Sequence, residues 1–409
     1  MNHVIIGNGI AGVSAAESIR RLDGSGSIVM ISDEPVDPYC RPMISLVLEG
    51  VISPAKLPIR GSTFYEELNI TPVLGSRVAR MDVDAKTLFL ADGKTLSFDT
   101  LLIATGADPR PIRASAAHLA NISFMRNQHQ VMKMLGSLPQ TRRALVLGGG
   151  LVGFKAACGL LHRGIDVTLL IRSGYPLSLQ VDEIAGAMIL DELTRRGLNV
   201  RVGVEVTGFK GESSVSGAFL SDGSEIPCDL AIVGKGVLPS VSFIPRDRIR
   251  VDLGIVVDDH LQTSCPGIYA AGDVAEAMDI ARKTRWVNAI WPEAAAQGRI
   301  AGMNMAGRAV VYKGSLSRNV IRIFDLDILA AGWVNAPDDP RFTVLCEHNR
   351  RMNTYRRLVF EGDRLIGAIL VNRIETGGIL TAVIQNGIPV RVSKRKLLEP
   401  HLSLKSLMF

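Results

Sequence analysis

Short apolar runs and glycine turns alternate along this chain in an order that repeats. Val4-Ile5-Ile6 is an apolar run, residues 7–12 form a glycine turn, residues 13–22 space their apolar positions as a helix does, and residues 27–31 are apolar again. Continuous apolar runs joined by a helix within about 30 residues predict buried parallel strands and a doubly wound sheet. The same unit returns about 140 residues later: an apolar run at 144–147, a glycine turn at 148–153, a helix to about Arg163, and a run at 167–171. Three further runs end in glycine: 99–104 before Thr105-Gly106, 229–233 before Gly234-Lys235-Gly236, and 268–271 before Gly272-Asp273. After Gly307 the pattern changes. Residues 320–324, 357–360 and 365–371 alternate as antiparallel strands do, and 377–385 reads as a helix. The predicted fold class is α/β, with two Rossmann-like dinucleotide-binding domains and a small α+β C-terminal domain. The expected segments are 1–113, 114–236, 237–310 and 311–409, the third completing the domain begun by the first.

The chain has 409 residues, enough for about two to four domains at roughly 100–200 residues each. Aromatics are only 5% against 47% apolar residues, so the core must be aliphatic. No apolar run approaches the ~18 residues of a membrane span, and no basic leader precedes the first strand. Together these give the expectation of a soluble, cytoplasmic protein without a membrane span. The five cysteines are scattered without CxxC spacing, and the seven histidines form no HxxH or HxxxH pair, so no metal site is expected. The net charge of +6 is unevenly placed. From residue 341 on, twelve Lys/Arg face five Asp/Glu, a local +7 that leaves −1 for the rest. Arg391, Lys394, Arg395 and Lys396 are the densest basic cluster, with Arg350, Arg351, Arg356 and Arg357 as a second. Two readings stay open, a solvated face or a docking face for an acidic partner. Nothing points to nucleic acid.

The glycine turns carry the chemistry. In the first, Gly7 permits the tight turn, Gly9 lets backbone approach a pyrophosphate, and Gly12 lets helix pack on strand. Ile10 and Ala11 open the helix whose N–H groups face the phosphates. A ribose-binding acid belongs ~20 residues on, and Asp33 and Glu34 stand 21 and 22 residues after Gly12. In the second turn, Gly148, Gly150, Leu151, Val152 and Gly153 take the same places. Here the acid is missing: Arg172 follows the strand. An arginine there can meet the 2′-phosphate of NADPH, or it is a solvated turn residue.

These motifs resemble the pyridine-nucleotide-dependent FAD oxidoreductases of the disulfide-reductase superfamily. The carriers are the two glycine turns, Ala104-Thr105-Gly106, residues 234–239 with Gly236, and the stretch 263–273 ending in Gly272-Asp273. The resemblance implies FAD on the first and third segments, NAD(P)H on 114–236, and a C-terminal interface domain that relatives use for dimer contacts. It implies that Asp273 meets the ribityl–phosphate region and that Val78 offers a backbone contact to adenine. The look is nearest to rubredoxin reductases and the flavin domain of assimilatory nitrite reductase, through Tyr39-Cys40-Arg41-Pro42-Met43-Ile44-Ser45 and through residues 286–302. On that likeness Arg41 meets the FAD phosphate or ribose, and Pro42 and Trp291 lie near the isoalloxazine.

Two departures narrow the chemistry. Dithiol relatives carry CxxxxC in the first segment, whereas this chain has only Cys40, two residues from where one-cysteine relatives place their thiol. Without a redox thiol, electrons must leave directly from the flavin. Relatives also often have Glu where Lys155 stands. A lysine there either places a cation near the reduced ring or sits on an ordinary helix face. The expected activity is an FAD-dependent NAD(P)H oxidoreductase. Its expected acceptor is a small, acidic electron carrier such as rubredoxin or ferredoxin, or an iron–sulfur subunit. The alternatives are a small-molecule acceptor, as in an NAD(P)H oxidase, peroxidase or disulfide reductase, and a flavin-bearing redox sensor.

Overall fold

The structure is a computed structural model and describes residues 1–399 and 402–403. The chain opens with β1 (Asn2–Ile6), α1 (Ile10–Leu22) and β2 (Ser27–Ser32), then β3 (Ile70–Leu74). An antiparallel meander follows over Val78–Asp82, Thr87–Leu90 and Thr95–Ser97, and then β4 (Thr100–Ile103). After β5 (Ile122–Phe124), the same plan recurs as β6 (Arg143–Leu147), α2 (Leu151–His162), β7 (Asp166–Ile171), α3 (Glu183–Arg195) and β8 (Asn199–Val202). A second meander, Val206–Gly211, Val215–Leu220 and Glu225–Pro227, leads into β9 (Leu230–Val233). The chain then supplies β10 (Ile268–Ala270) and α4 (Trp291–Met305).

The two parallel sheets have matching orders, β10-β4-β1-β2-β3 and β8-β7-β6-β9-β5. Register is parallel throughout, with His3 opposite both Ile28 and Thr100, and Ala144 opposite both Val167 and Leu230. Val4, Ile5, Leu145 and Val146 are fully buried, because helices or loops cover both faces of such sheets and leave no room for polar alternation. In the first sheet's layer, α1 meets α4 through small residues. A Cβ added at Gly298 would lie 2.1 Å from the Ala11 carbonyl oxygen, and one at Gly302 2.4 Å from that of Ala15, so the helices touch backbone to backbone.

Contacts divide the chain into two compact units. One comprises 1–42, 55–108 and 238–316; the other comprises 43–54, 109–237 and 317–409. These breaks stand beside the expected 113/114, 236/237 and 310/311. The segment 43–54, read with the first domain, instead packs in the second unit. Its short helix Ile44–Glu49 lies on α2: Arg163 donates to the Leu48 and Val47 carbonyls, and Glu49 pairs with His162 at 3.1 Å. A remote arginine capping helix carbonyls is a contact no local pattern announces.

The last segment forms an antiparallel sheet, β11 (Arg318–Ile323), β12 (Leu326–Gly332), β13 (Phe342–Asn349), β14 (Thr354–Glu361) and β15 (Arg364–Val371), in the order β11-β12-β15-β14-β13. Helix α5 (Gly377–Asn386) follows. Two of these strands were not expected. β12 is nearly all buried and has no alternation, and β13 is an edge whose residues are mostly exposed. Asn335 donates to the Ser178 and Val181 carbonyls, and Tyr355 donates to Asp182 at 2.5 Å, tying this sheet to the start of α3. Among the described residues no helix is long and apolar enough to cross a membrane, and no group of His, Cys, Asp or Glu could hold a metal.

Candidate functional site

The two glycine loops are near copies at the backbone level. Gly7 and Gly148 have φ +114° and +112°, in the left-handed region that favours glycine. A Cβ on Gly7 would meet the Ala104 carbonyl oxygen at 2.2 Å, and one on Gly148 that of Gly234 at 2.4 Å. The closing glycines, Gly12 and Gly153, would each place a Cβ 1.9 Å from the carbonyl oxygen of the opening glycine. The middle glycines differ in kind: at Gly9 and Gly150 nothing lies within 4 Å of an added Cβ. Both are helix N-caps without a side-chain cap, and neither first turn holds an acid. The first N–H groups of α1, including Ile10 and Ala11, and of α2, including Leu151 and Val152, therefore open onto space and carry the positive end of the helix dipole. Each cradle could hold a phosphate, and two in one chain fit two dinucleotides.

Around the first loop the structure separates the two candidate acids. Asp33 is exposed, whereas Glu34 is held, accepting from Tyr39 at 2.8 Å and from Arg41 at 2.5 Å. Burial disfavours the Arg41 charge, but Tyr39, Glu34 and Asp273 outweigh it and hold the guanidinium pKa above its ordinary value. Arg41 thus lies in the field of both Glu34 and Asp273. Ser76 donates its N–H to the Ser32 carbonyl at the end of β2, while its buried hydroxyl has no partner. Such an orphan is costly, and it lies just before Val78, where the adenine contact is expected. Val78 itself is buried at the start of the meander. Thr105 donates to the Ser240 carbonyl and Gly106 accepts from Ser240 N–H, both at 3.0 Å.

Asp273 is half-buried directly after Gly272, whose would-be Cβ lies 3.3 Å from Ala11. The acid therefore stands beside the start of α1. Behind it runs a buried chain that the sequence did not suggest: Gly272 N–H donates to Gln297 Oε1 at 2.7 Å, Gln297 donates to Tyr312 at 3.4 Å, and Tyr312 donates to Glu293 at 2.5 Å. Burial first, and the Glu293 charge next, push the Tyr312 hydroxyl pKa far up, so it stays a donor. Glu293 sits in the first turn of α4, two residues after the half-buried Trp291. Pro42 is exposed in the turn Arg41–Met43.

At the second loop Arg172 is not merely solvated. Its Nε lies 3.1 Å from Glu205 Oε1, and Lys235 Nζ lies 3.0 Å from Glu205 Oε2. The acid missing after β7 thus arrives from the segment after β8. Sequence spacing could not show this, because Glu205 is 33 residues from Arg172. Gly236, at φ +89°, accepts from Arg110 N–H at 2.9 Å. Lys155 is exposed on α2. Cys40 is half-buried, and its N–H donates to the Leu57 carbonyl.

Residues 1–298 match the family described as Pyridine nucleotide-disulphide oxidoreductase. The chain belongs to that family. Pyridine nucleotide-disulphide oxidoreductases use FAD and NAD(P)H, and the two cradles fit that pair. Residues 318–388 match a second family, the Rubredoxin NAD+ reductase C-terminal domain. The chain is 27% identical to the assimilatory nitrate reductase electron transfer subunit of Bacillus subtilis (strain 168), over 98% of this chain and 51% of that protein. It therefore spans about half the length of that relative. It is 34% identical to the ferredoxin–NAD(+) reductase subunit of the benzene 1,2-dioxygenase system of Pseudomonas putida, over 67% of each chain. The fold matches that in the crystal structure of the covalent putidaredoxin reductase–putidaredoxin complex with a TM-score of 0.90 and 25% identity, covering 99% of this chain and 97% of that one.

Proposed function

We propose that this member of the pyridine nucleotide-disulphide oxidoreductase family is an FAD-dependent NAD(P)H oxidoreductase that delivers electrons to a small electron-carrier protein of the rubredoxin or ferredoxin kind, or to an iron–sulfur subunit. The observation that carries the reading is the pair of matching cradles, one flanked by Glu34, Arg41 and Asp273 and the other by Arg172, Glu205 and Lys235. Bound FAD would supply the hydride-accepting and electron-releasing chemistry. The chain's part is to hold and orient. The α1 N-terminus takes the FAD pyrophosphate, Glu34 the adenosine ribose, Arg41 the phosphates, and Asp273 the ribityl side. The α2 N-terminus takes the pyrophosphate of NAD(P)H. Two features favour a protein acceptor. The first segment offers Cys40 alone, so no dithiol stands between flavin and acceptor. The C-terminal segment matches a rubredoxin reductase domain, and a relative of the chain is the ferredoxin–NAD(+) reductase subunit of a dioxygenase system.

The basic clusters divide into buried or half-buried members and exposed ones. Arg356 is buried and donates to the Leu398, Glu399 and Arg373 carbonyls, and Arg357 pairs with Asp182, so both serve the fold. Arg350, Arg351, Arg391, Arg395 and Lys396 are exposed and remain for docking, while Lys394 stacks on Phe360 at 5.1 Å. The test is an anaerobic acceptor panel with purified protein: a rubredoxin, a ferredoxin, dioxygen, peroxide and a disulfide. The expected result is a yellow protein with about one FAD per chain, turning over fastest with a protein carrier. That turnover should fall steeply with salt, because charges are screened beyond about 8 Å, while flavin reduction hardly changes. A colourless protein that cannot be reconstituted refutes the cofactor reading. Turnover with dioxygen or peroxide matching that with every carrier refutes the acceptor reading.

A further inference from the structure

The carboxyl end of the second parallel sheet carries three charges that the hydride chemistry does not require. Arg172 follows β7, Lys235 comes one residue after Gly234 at the end of β9, and Glu205 lies between β8 and the second meander. The two oxygens of Glu205 each take one cation, Arg172 Nε at 3.1 Å and Lys235 Nζ at 3.0 Å. The strands bearing the cations flank β6 on opposite sides, so the cations meet across the end of the central strand. That is where the glycine loop lies. Ile171, just before Arg172, packs over Gly149, whose added Cβ would lie 2.9 Å from its side chain. Gly234, just before Lys235, places its carbonyl against Gly148. Gly203 N–H donates to the Ile171 carbonyl at 2.7 Å, which holds the chain leading to Glu205 beside Arg172. In an open α/β sheet this crevice is where the dinucleotide lies.

Resting on the reading of this domain as the NAD(P)H site, we propose that Arg172 and Lys235 together form the seat for the 2′-phosphate of NADPH, and that Glu205 is the built-in competitor for that seat. A carboxylate bridging two cations is the geometry that two oxygens of a phosphate reproduce, with a larger charge and further acceptors. The same bridge occupies Glu205, whose oxygens would otherwise accept from the 2′-hydroxyl of NADH. Neither nucleotide therefore finds an ideal partner, and the chain accepts both with a modest tilt to NADPH. Displacement is cheap on the Arg172 side, since that side chain is 81% exposed and exposed ion pairs contribute little. The Lys235 side resists more, because both partners there are largely covered.

The variants are Glu205→Gln, Lys235→Met and Arg172→Met, made in the flavin-loaded chain. The probes are 2′,5′-ADP and 5′-AMP, measured by calorimetry, alongside flavin reduction by NADPH and NADH. Glu205→Gln keeps size and shape while removing the competing charge. It should raise the preference for 2′,5′-ADP over 5′-AMP about tenfold, which corresponds to ~1.4 kcal/mol. Lys235→Met and Arg172→Met should each lower it, with 5′-AMP binding little changed. A Glu205→Gln preference within about twofold of the parent, or a Lys235→Met loss equal for both probes, overturns the assignment. These ratios are read from binding alone. If neither nucleotide reduces the flavin of the parent protein, the functional reading fails by itself, and the probe ratios still decide the seat.

Discussion

Gly150 and Gly153 stand three residues apart in one loop, yet their substitution by alanine should have opposite consequences. At Gly153 the new Cβ would lie 1.9 Å from the Gly148 carbonyl oxygen, so α2 must move off β6 by more than about an ångström. Overpacking of this kind costs typically 1–3 kcal/mol, and a backbone obstacle places it at the upper end. For a domain of this size that is a fall in Tm of roughly 6–10 °C. At Gly150 nothing lies within 4 Å, and φ −80°, ψ 177° is open to alanine. The only structural loss is the N-cap preference for glycine over alanine, about 0.5–1 kcal/mol. The added methyl, however, enters the space through which a pyrophosphate reaches the α2 N-terminus. Losing one charge-assisted hydrogen bond there costs about 1.5–3 kcal/mol, which raises the nucleotide Kd roughly ten- to hundredfold. The assay pairs a thermal melt with NAD(P)H titration on the flavin-loaded protein, and flavin content should be unchanged in Gly150→Ala. Wild-type nucleotide affinity in Gly150→Ala, or a wild-type melt in Gly153→Ala, would refute the division of roles.

Three further outcomes follow from single contacts. Asp273→Ala should lose FAD during gel filtration while the fold persists, because a charged partner of about 1.5–3 kcal/mol is removed from the flavin side; full retention of yellow colour counts against it. Tyr355→Phe should cost about 1–3 kcal/mol in denaturant unfolding, since the hydroxyl donates to Asp182, the residue that caps α3 by accepting from Ala185 N–H; flavin and nucleotide binding should not change. His3 is fully buried between Thr100 and Asp23, and burial lowers its pKa despite the Asp23 carboxylate. Its neutral form is thus favoured in the fold. Stability contributed above the ordinary value of about 6.5 is lost as pH falls toward the depressed folded value, because the unfolded chain binds the proton first. The unfolding midpoint should drop as pH falls through about 6.5, and less so in His3→Gln; equal slopes for the two proteins would remove His3 as the cause.

The sequence by itself determined the parts whose requirements are local. Glycine at 7, 9 and 12, and again at 148, 150 and 153, is demanded by a positive φ, an open approach and a helix pressed on a strand, all within six residues. An apolar run before each loop and a helix after it complete the unit, so both cradles and the doubled parallel architecture could be read directly. Asp273 stood out only through the resemblance of residues 263–273 to the family. Tertiary structure decided everything that depends on segments distant in the chain. It tied Glu34 to Tyr39 and Arg41 while leaving Asp33 exposed. It brought Tyr312 and Glu293 together behind Gly272, and it took Arg356 and Arg357 out of the apparent basic patch. It assigned residues 43–54 to the second unit through an arginine on α2. Above all, it delivered Glu205 to Arg172 and Lys235. The three come from the ends of different strands, and a charge pairs with whatever the sheet order brings within about 4 Å, a distance that spacing along the chain does not encode.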